Sequence, residues 1–295
     1  MKRLKVILLA LILAFICINA LAVDCPELIE AAATGDYERV EKLIAKGCDI
    51  DFIGDSYFFK KNENIKEPVT ALTEAATSGH IEIVKLLIDN DVDIKSNENV
   101  LALLFSARFD HIAIVKCLIE HGIDINSKHE RYGATVLMAA CATGNVELAK
   151  YLIGKGVDIN EKNSQGETSI IYAARAGHAN VIKELINKGA DANSKDGVKR
   201  SALMLAARTE HIEAIRVLLN NGADINYQLK GATALSEAAG YGRIENVKLL
   251  LEKGAKVGFT PYIAGSHDSS LPLRRAEEEG YEDILKLLKA VRAKE

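Results

Sequence analysis

Residues 165–193 read QGETSIIYAARAGHANVIKELINKGADAN. The stretch spells two short helices and a turn. Thr168 is placed to cap the first helix, its hydroxyl accepting from a backbone N–H that has no partner inside the helix. Ala173 and Ala174 are small enough for a neighbouring helix to come close. Gly177 can take the left-handed conformation that ends that helix. Val181, Ile182, Leu185 and Ile186 form an apolar stripe at helical spacing. Gly189 stops the second helix and Asp191 begins a turn. One unit of about 30 residues cannot bury its own apolar face, so its meaning depends on repetition.

The unit does recur. Aligned on the turn between helices, its glycine appears as Gly35, Gly79, Gly144, Gly177, Gly242 and Gly280, with Asp110 and Glu210 in the same slot of two further copies. Successive intervals are 44, 31, 34, 33, 33, 32 and 38 residues, a period of 33 with an insertion near each end. Thr70, Thr135, Thr168, Ser201 and Thr233 are expected to cap first helices, each contributing about 1 kcal/mol. Ala75/Ala76, Ala173/Ala174, Ala206/Ala207 and Ala238/Ala239 allow those helices to stack closely. Gly122, Gly156, Gly189, Gly222 and Gly254 terminate second helices, and Asp124, Asp158, Asp191 and Asp224 suit side-chain-to-backbone turns. The third copy is the weakest, with Leu101 for the cap, Ser106 for an alanine and Asp110 for the turn glycine. It is expected to open most easily.

The best copies read TALTEAATSGHIEIVKLLIDN from Thr70, TVLMAACATGNVELAKYLIGKGVDIN from Thr135, SALMLAARTEHIEAIRVLLNNGADIN from Ser201 and TALSEAAGYGRIENVKLLLEKGA from Thr233. This pattern resembles the ankyrin repeat, from about Cys25 to Ala290. It departs from the family's Thr-Pro-Leu-His opening: the histidine slot holds Thr73, Met138, Ile171, Met204 or Ser236, and only Pro272 fills the proline slot. The resemblance implies an all-α ankyrin-repeat α-solenoid of about eight repeats, in which helix-turn-helix units are joined by β-hairpin-like loops. The organisation expected is a signal peptide over 1–22, an N-terminal capping repeat over 23–52, an insertion loop over 53–67, six repeats over 68–258, a second insertion over 259–269 and a C-terminal capping repeat over 270–295.

The first residues carry a separate signal. Lys2, Arg3 and Lys5 precede an apolar run from Val6 to Ile18, and Ala20-Leu21-Ala22 has the small-x-small pattern of a cleavage site. Cleavage after Ala22 removes three positive charges and takes the net charge from −4 to −7. Export to a bacterial periplasm, or secretion, is the localisation expected, and that compartment favours disulfides. Cys25 falls at the start of one helix and Cys48 after the end of its partner, so the two can meet and staple the terminal copy; spacing alone does not fix the pairing. Cys117 and Cys141 fall in apolar slots and read as buried thiols.

Both ends read as polar caps. Asp36, Tyr37 and Glu38 stand in the first copy where middle copies use His and apolar residues, and Glu277, Glu278 and Glu279 are expected to face solvent in the last. The insertion after Ile53 gathers Tyr57, Phe58, Phe59, Lys60 and Lys61, and the second carries Tyr262 and His267. Each could be a contact loop or could tuck against its neighbours.

No catalytic set emerges: there is no phosphate loop, CxxC, HExxH or serine elbow, and no cofactor or metal is implied. His80, His111, His178 and His211 share one slot, where the resemblance implies structural hydrogen bonds. With no enzyme expected, the chemistry is that of a surface. The resemblance implies a concave groove lined by hairpin tips and by the two residues before each turn glycine. Here those include Thr77, Arg108, Phe109, Arg175, Arg208 and Tyr241, with Arg131, Tyr132, Lys199, Arg200 and Lys230 on the hairpin side. Arg and Tyr are favoured interface anchors. A solvated charged face with nearby partners such as Glu167 and Glu210 is the competing reading. The function expected is a monomeric protein-binding scaffold whose partner carries an acidic segment, with no nucleic acid and no membrane span after cleavage. An accessory factor for an envelope enzyme in oxidative-stress defence, or a secreted host-interaction effector, remains the alternative.

Overall fold

The computed structural model describes residues 24–56, 68–258 and 272–293. The signal segment over 1–22, Tyr57 to Lys61 of the first insertion, and Tyr262 and His267 of the second lie outside them.

Sixteen helices run through the described residues in pairs. They are α1 Pro26–Thr34 with α2 Tyr37–Ala45, α3 Ala71–Ser78 with α4 Ile81–Asp89, α5 Val100–Arg108 with α6 Ile112–Glu120, and α7 Val136–Thr143 with α8 Val146–Gly154. There follow α9 Ser169–Ala176 with α10 Ala179–Asn187, α11 Ala202–Ala207 with α12 Ile212–Asn220, α13 Ala234–Gly240 with α14 Ile244–Glu252, and α15 Pro272–Glu278 with α16 Glu282–Arg292. Among the described residues the sheet is one short ribbon: β1 Gly54–Asp55 pairs antiparallel with β2 Pro68–Val69 and closes the ends of the first insertion. No described helix is long and apolar enough to cross a membrane.

The chain divides into two compact units, Met1–Ser106 with Ala113–Ile123, and Ala107–Ile112 with Asp124–Glu295. In the first, α1 packs on α3 and α2 on α4. In the second, α7, α9, α11, α13 and α15 stack in sequence as one layer, and α8, α10, α12, α14 and α16 as the other. The alanine pairs make the first layer close-packed; Ala173, Ala174, Ala206, Ala207, Ala238 and Ala239 are wholly buried. Val181, Ile182, Leu185, Ile215 and Leu218 fill the space between layers, each full burial of an aliphatic side chain stabilising by about 2 kcal/mol.

Caps and turns follow sequence closely, with four departures. The hydroxyls of Thr70, Thr135, Ser201 and Thr233 each accept from the N–H three residues on. Thr168 occupies the cap position, but its buried hydroxyl has no partner among the described residues; its backbone carbonyl takes the N–H of Ile171 instead. Leu101 is no cap, because α5 begins at Val100; the residue before it, Asn99, accepts from the Thr70 hydroxyl at 2.6 Å and donates to the Asp93 carbonyl at 2.8 Å. Thr77 is buried rather than facing a groove, its hydroxyl bonded to the Thr73 carbonyl. Glu210 does not reproduce the left-handed turn: α11 stops at Ala207, and Arg208 is an αR cap. Asp110 does take the left-handed conformation, at φ 67°.

Cys25 and Cys48 are joined in a disulfide with Cα atoms 5.6 Å apart. Cys117 and Cys141 are free and buried, and burial pushes both thiols above the usual range.

Candidate partner interface

Within each compact unit, junctions between copies match a turn residue to the residue that starts the next copy's second helix. Where the turn is glycine, the next copy supplies a ring. A Cβ on Gly35 would lie 2.6 Å from the His80 ring, one on Gly144 2.6 Å from His178, and one on Gly177 2.3 Å from His211. His80 Nε2 then donates to the Ala33 carbonyl at 3.2 Å and His178 Nε2 to that of Ala142 at 3.1 Å. Tyr281 fills the same place against Gly242. Where the turn is Asp110, the next copy supplies Asn145, whose amide donates to the Asp110 carboxylate while its Oδ1 caps α8 at Leu148. Where the turn is Glu210, it supplies Arg243. His80, His178 and His211, with Asn145, Arg243 and Tyr281 in their place elsewhere, work as structural fasteners.

These fasteners hold the hairpin tips in fixed register. Ser164 N–H donates to the Tyr132 carbonyl at 3.0 Å, and Gly197 N–H to that of Gln165 at 2.7 Å. At the base of the tips, Asn126 and Asn193 accept from the N–H of Asp158 and Asp224, and Asn160, Asn193 and Asn226 donate to the carbonyls of Gly189, Gly222 and Gly254.

The arginines singled out by sequence are not a bare basic row. Arg175 pairs with Glu167 and lies over the Tyr172 ring at 5.6 Å. Arg200 Nε meets Asp196 Oδ2 at 2.7 Å. Arg208 Nε meets Glu237 Oε2 at 2.8 Å and lies over Tyr241 at 5.2 Å, while Arg275 Nη1 reaches the same oxygen at 3.0 Å. Arg131 sits 5.9 Å from the centre of the Tyr132 ring, which stacks on His129. Arg108 is exposed and has no ion partner among the described residues. Arg175 is therefore held by its own chain. Reversing Arg175 and Arg208 to Glu would set a second carboxylate beside Glu167 and Glu237, which are only 3–4% exposed, and a buried charge that loses its partner is strongly destabilising.

The polarity of these pairs decides what solvent meets. Glu167, Asp196 and Glu237 are buried, and the guanidinium partners are partly exposed. Asn163 adds to the buried side, donating to Glu167 and to the Tyr172 hydroxyl. Burial, then the Glu167 charge, pushes the Tyr172 phenol above its ordinary range. Beside the cations stand exposed apolar groups: Phe109, Tyr132 at 50%, Val198 and Tyr241 at 45%. Asn163, Asp196, Val198, Glu237 and Arg275 were missed as members of this face. Glu237 and Arg275 carry a readable signal, because they occupy the same slot, five before the turn, in successive copies. Among the described residues no group of three or more His, Cys, Asp or Glu can hold a metal ion.

No curated protein matches the chain at a significant level. A family model described as ankyrin repeats (3 copies) matches residues 28–129, 128–196 and 196–260. Ankyrin repeats generally mediate protein–protein interaction, and such proteins are typically non-enzymatic scaffolds. With the three matches running from residue 28 to residue 260, the chain belongs to the ankyrin repeat family.

Proposed function

We propose that the chain is a bacterial scaffold, exported to the periplasm or secreted, that binds one partner protein through the tips and first-helix ends of its second compact unit. The observation that carries this reading is the pairing of exposed aromatic and aliphatic groups with fixed cations. Tyr132, Val198 and Tyr241 stand out from a surface on which Arg175, Arg200 and Arg208 are held by buried carboxylates. An arginine held this way spends one or two of its five N–H groups on its own chain. It offers the rest in a fixed direction, with less ordering entropy lost on binding. The partner is a protein with an acidic segment, and the scaffold acts as a monomer. The apolar run at Val6–Ile18 and the Ala20-Leu21-Ala22 site support export, as does the Cys25–Cys48 disulfide.

The test is capture from a native envelope fraction with three baits: the unaltered chain, a tip variant carrying Tyr132→Ser, Val198→Asp and Tyr241→Ser, and a control carrying Lys150→Glu and Lys183→Glu on the second-helix layer. One protein retained by the first and third baits and lost by the second is expected. Retention by the tip variant would overturn the assignment.

A further inference from the structure

Two neighbouring tips of the second unit meet backbone to backbone. Gly166 has φ +70°, and a Cβ there would lie 3.1 Å from the Gly197 Cα. A Cβ on Gly197 would come within 2.3 Å of the Gln165 oxygen, which accepts the Gly197 N–H at 2.7 Å. Only glycine allows this approach. Beside the contact lies a cavity of about 370 Å³, lined by Ser164, Gly166, Glu167, Gly197, Val198 and Arg200 among others. Val198, 63% exposed, is the most exposed large apolar side chain among the described residues. It stands on the edge of this cavity rather than in a core.

The charges around the cavity are sorted by sign. Its two carboxylates are buried and occupied. Glu167 takes Arg175 on one oxygen and the Asn163 amide at 3.0 Å on the other. Asp196 takes the Arg200 N–H at 2.8 Å on one oxygen and Arg200 Nε at 2.7 Å on the other. Arg200 lines the cavity and is partly exposed, as is Arg175, which holds the lining Glu167. A cation entering here meets cations, because the acids are turned inward. A carboxylate meets donors already fixed in place.

We infer that this notch between the two tips, with Val198 at its edge and Arg175 and Arg200 flanking it, receives a partner peptide in which an apolar side chain is followed by an acidic one. The apolar side chain enters beside Gly166 and Val198, and the carboxylate bonds the outward N–H groups of the arginines. The inference rests on the scaffold reading above and names the motif that its partner carries.

The test uses three capped pentapeptides with central Leu-Asp, Ala-Asp or Leu-Asn, titrated into the isotope-labelled protein while the amide signals of Gly166, Gly197 and Val198 are followed. The Leu-Asp peptide should shift these signals saturably, and either replacement should weaken binding about tenfold or more. Val198→Asp should abolish the shifts while leaving the other amide signals in place, since the side chain is exposed. Equal shifts from all three peptides, shifts centred elsewhere, or none would overturn the notch. Capture of a partner by the unaltered chain but not by the tip variant would still stand in that case, so the two ideas fail separately.

Discussion

Arg243 reaches back into the preceding copy, its Nη1 2.5 Å from Glu210 Oε1 and its Nε donating to the Arg208 carbonyl at 2.9 Å. One turn further along α14, Asn246 is buried and donates to the carbonyls of Ala207 at 3.1 Å and Thr209 at 2.7 Å. Those three carbonyls lie at the C-terminal end of α11 and just beyond it, where the helix supplies them no internal partners. Glu210 is 77% exposed, so its ion pair contributes little. Glu210→Ala should change stability by less than about 0.5 kcal/mol. Asn246→Leu restores the apolar residue found at Ile83, Val181 and Ile284, yet should destabilise by about 1–3 kcal/mol, because it strips one buried and one part-buried carbonyl of their donor. Urea unfolding of both variants distinguishes these outcomes; a neutral Asn246→Leu would show that the carbonyls find water.

The turn glycines divide into two kinds. Gly144 and Gly189 both have positive φ, but a Cβ on Gly144 meets the His178 ring at 2.6 Å, whereas one on Gly189 meets nothing within 4 Å. Backbone strain is thus shared and the ring contact is not. Gly144→Ala should cost at least about 1 kcal/mol more than Gly189→Ala. The difference should shrink when both are measured with His178→Ala, which also opens the Ala142 carbonyl bond. A difference unchanged by that substitution would place its origin in the backbone.

Much of the fold was legible because its determinants are local. A threonine cap, an alanine pair and a left-handed glycine each act within a few residues, and period 33 repeats them. The junction pairs were not legible in the same way. Aligning copies places Gly144 beside Asp110 and Glu210 as variants of one slot, and His178 beside Asn145 and Arg243 as variants of another. The matching runs from one slot in a copy to the other slot in the next. Read so, the departures at Asp110 and Glu210 cease to be defects. The candidate face was legible in its residue types and not in their pairing, since Glu237 lies 29 residues from Arg208 and is buried behind it.

A carboxylate stands out of register at the first tip base. Asp51 occupies the slot filled by Asn126, Asn160, Asn193 and Asn226, and its Oδ1 accepts the Asp93 N–H at 2.9 Å as an asparagine would. Burial, joined by the charges of Asp49 and Asp93, raises its pKa; the Asp93 N–H acts the other way. A carboxyl raised on folding contributes its stability below the ordinary carboxylate range and loses it as pH rises through the raised value. Asp51→Asn keeps the acceptor and removes the charge. It should stabilise slightly at pH 7, by well under about 1 kcal/mol because solvent screens the charge, with the gain vanishing below about pH 4. A gain independent of pH would show that charge is not its source.

The disulfide acts on the terminal helix pair. Cys25 precedes α1 and Cys48 follows α2, closing a separation of 23 residues, and among the described residues α1 packs on α3 and α2 on α4. Cys25→Ser should lower the local stability of this pair by about 3 kcal/mol. Hydrogen exchange should show faster exchange across α1 and α2 and unchanged protection in α9 and α10. Equal acceleration in both places would show that the bridge stabilises the chain as a whole.

The account of the molecule as a scaffold is tested most directly by photo-crosslinking in cells. A photoreactive residue is placed either at Val198 on the tip or at Lys150 on α8, both exposed. A single discrete adduct to one other protein from position 198, and none from position 150, is the expected result. An adduct from position 150 with none from position 198 would contradict it.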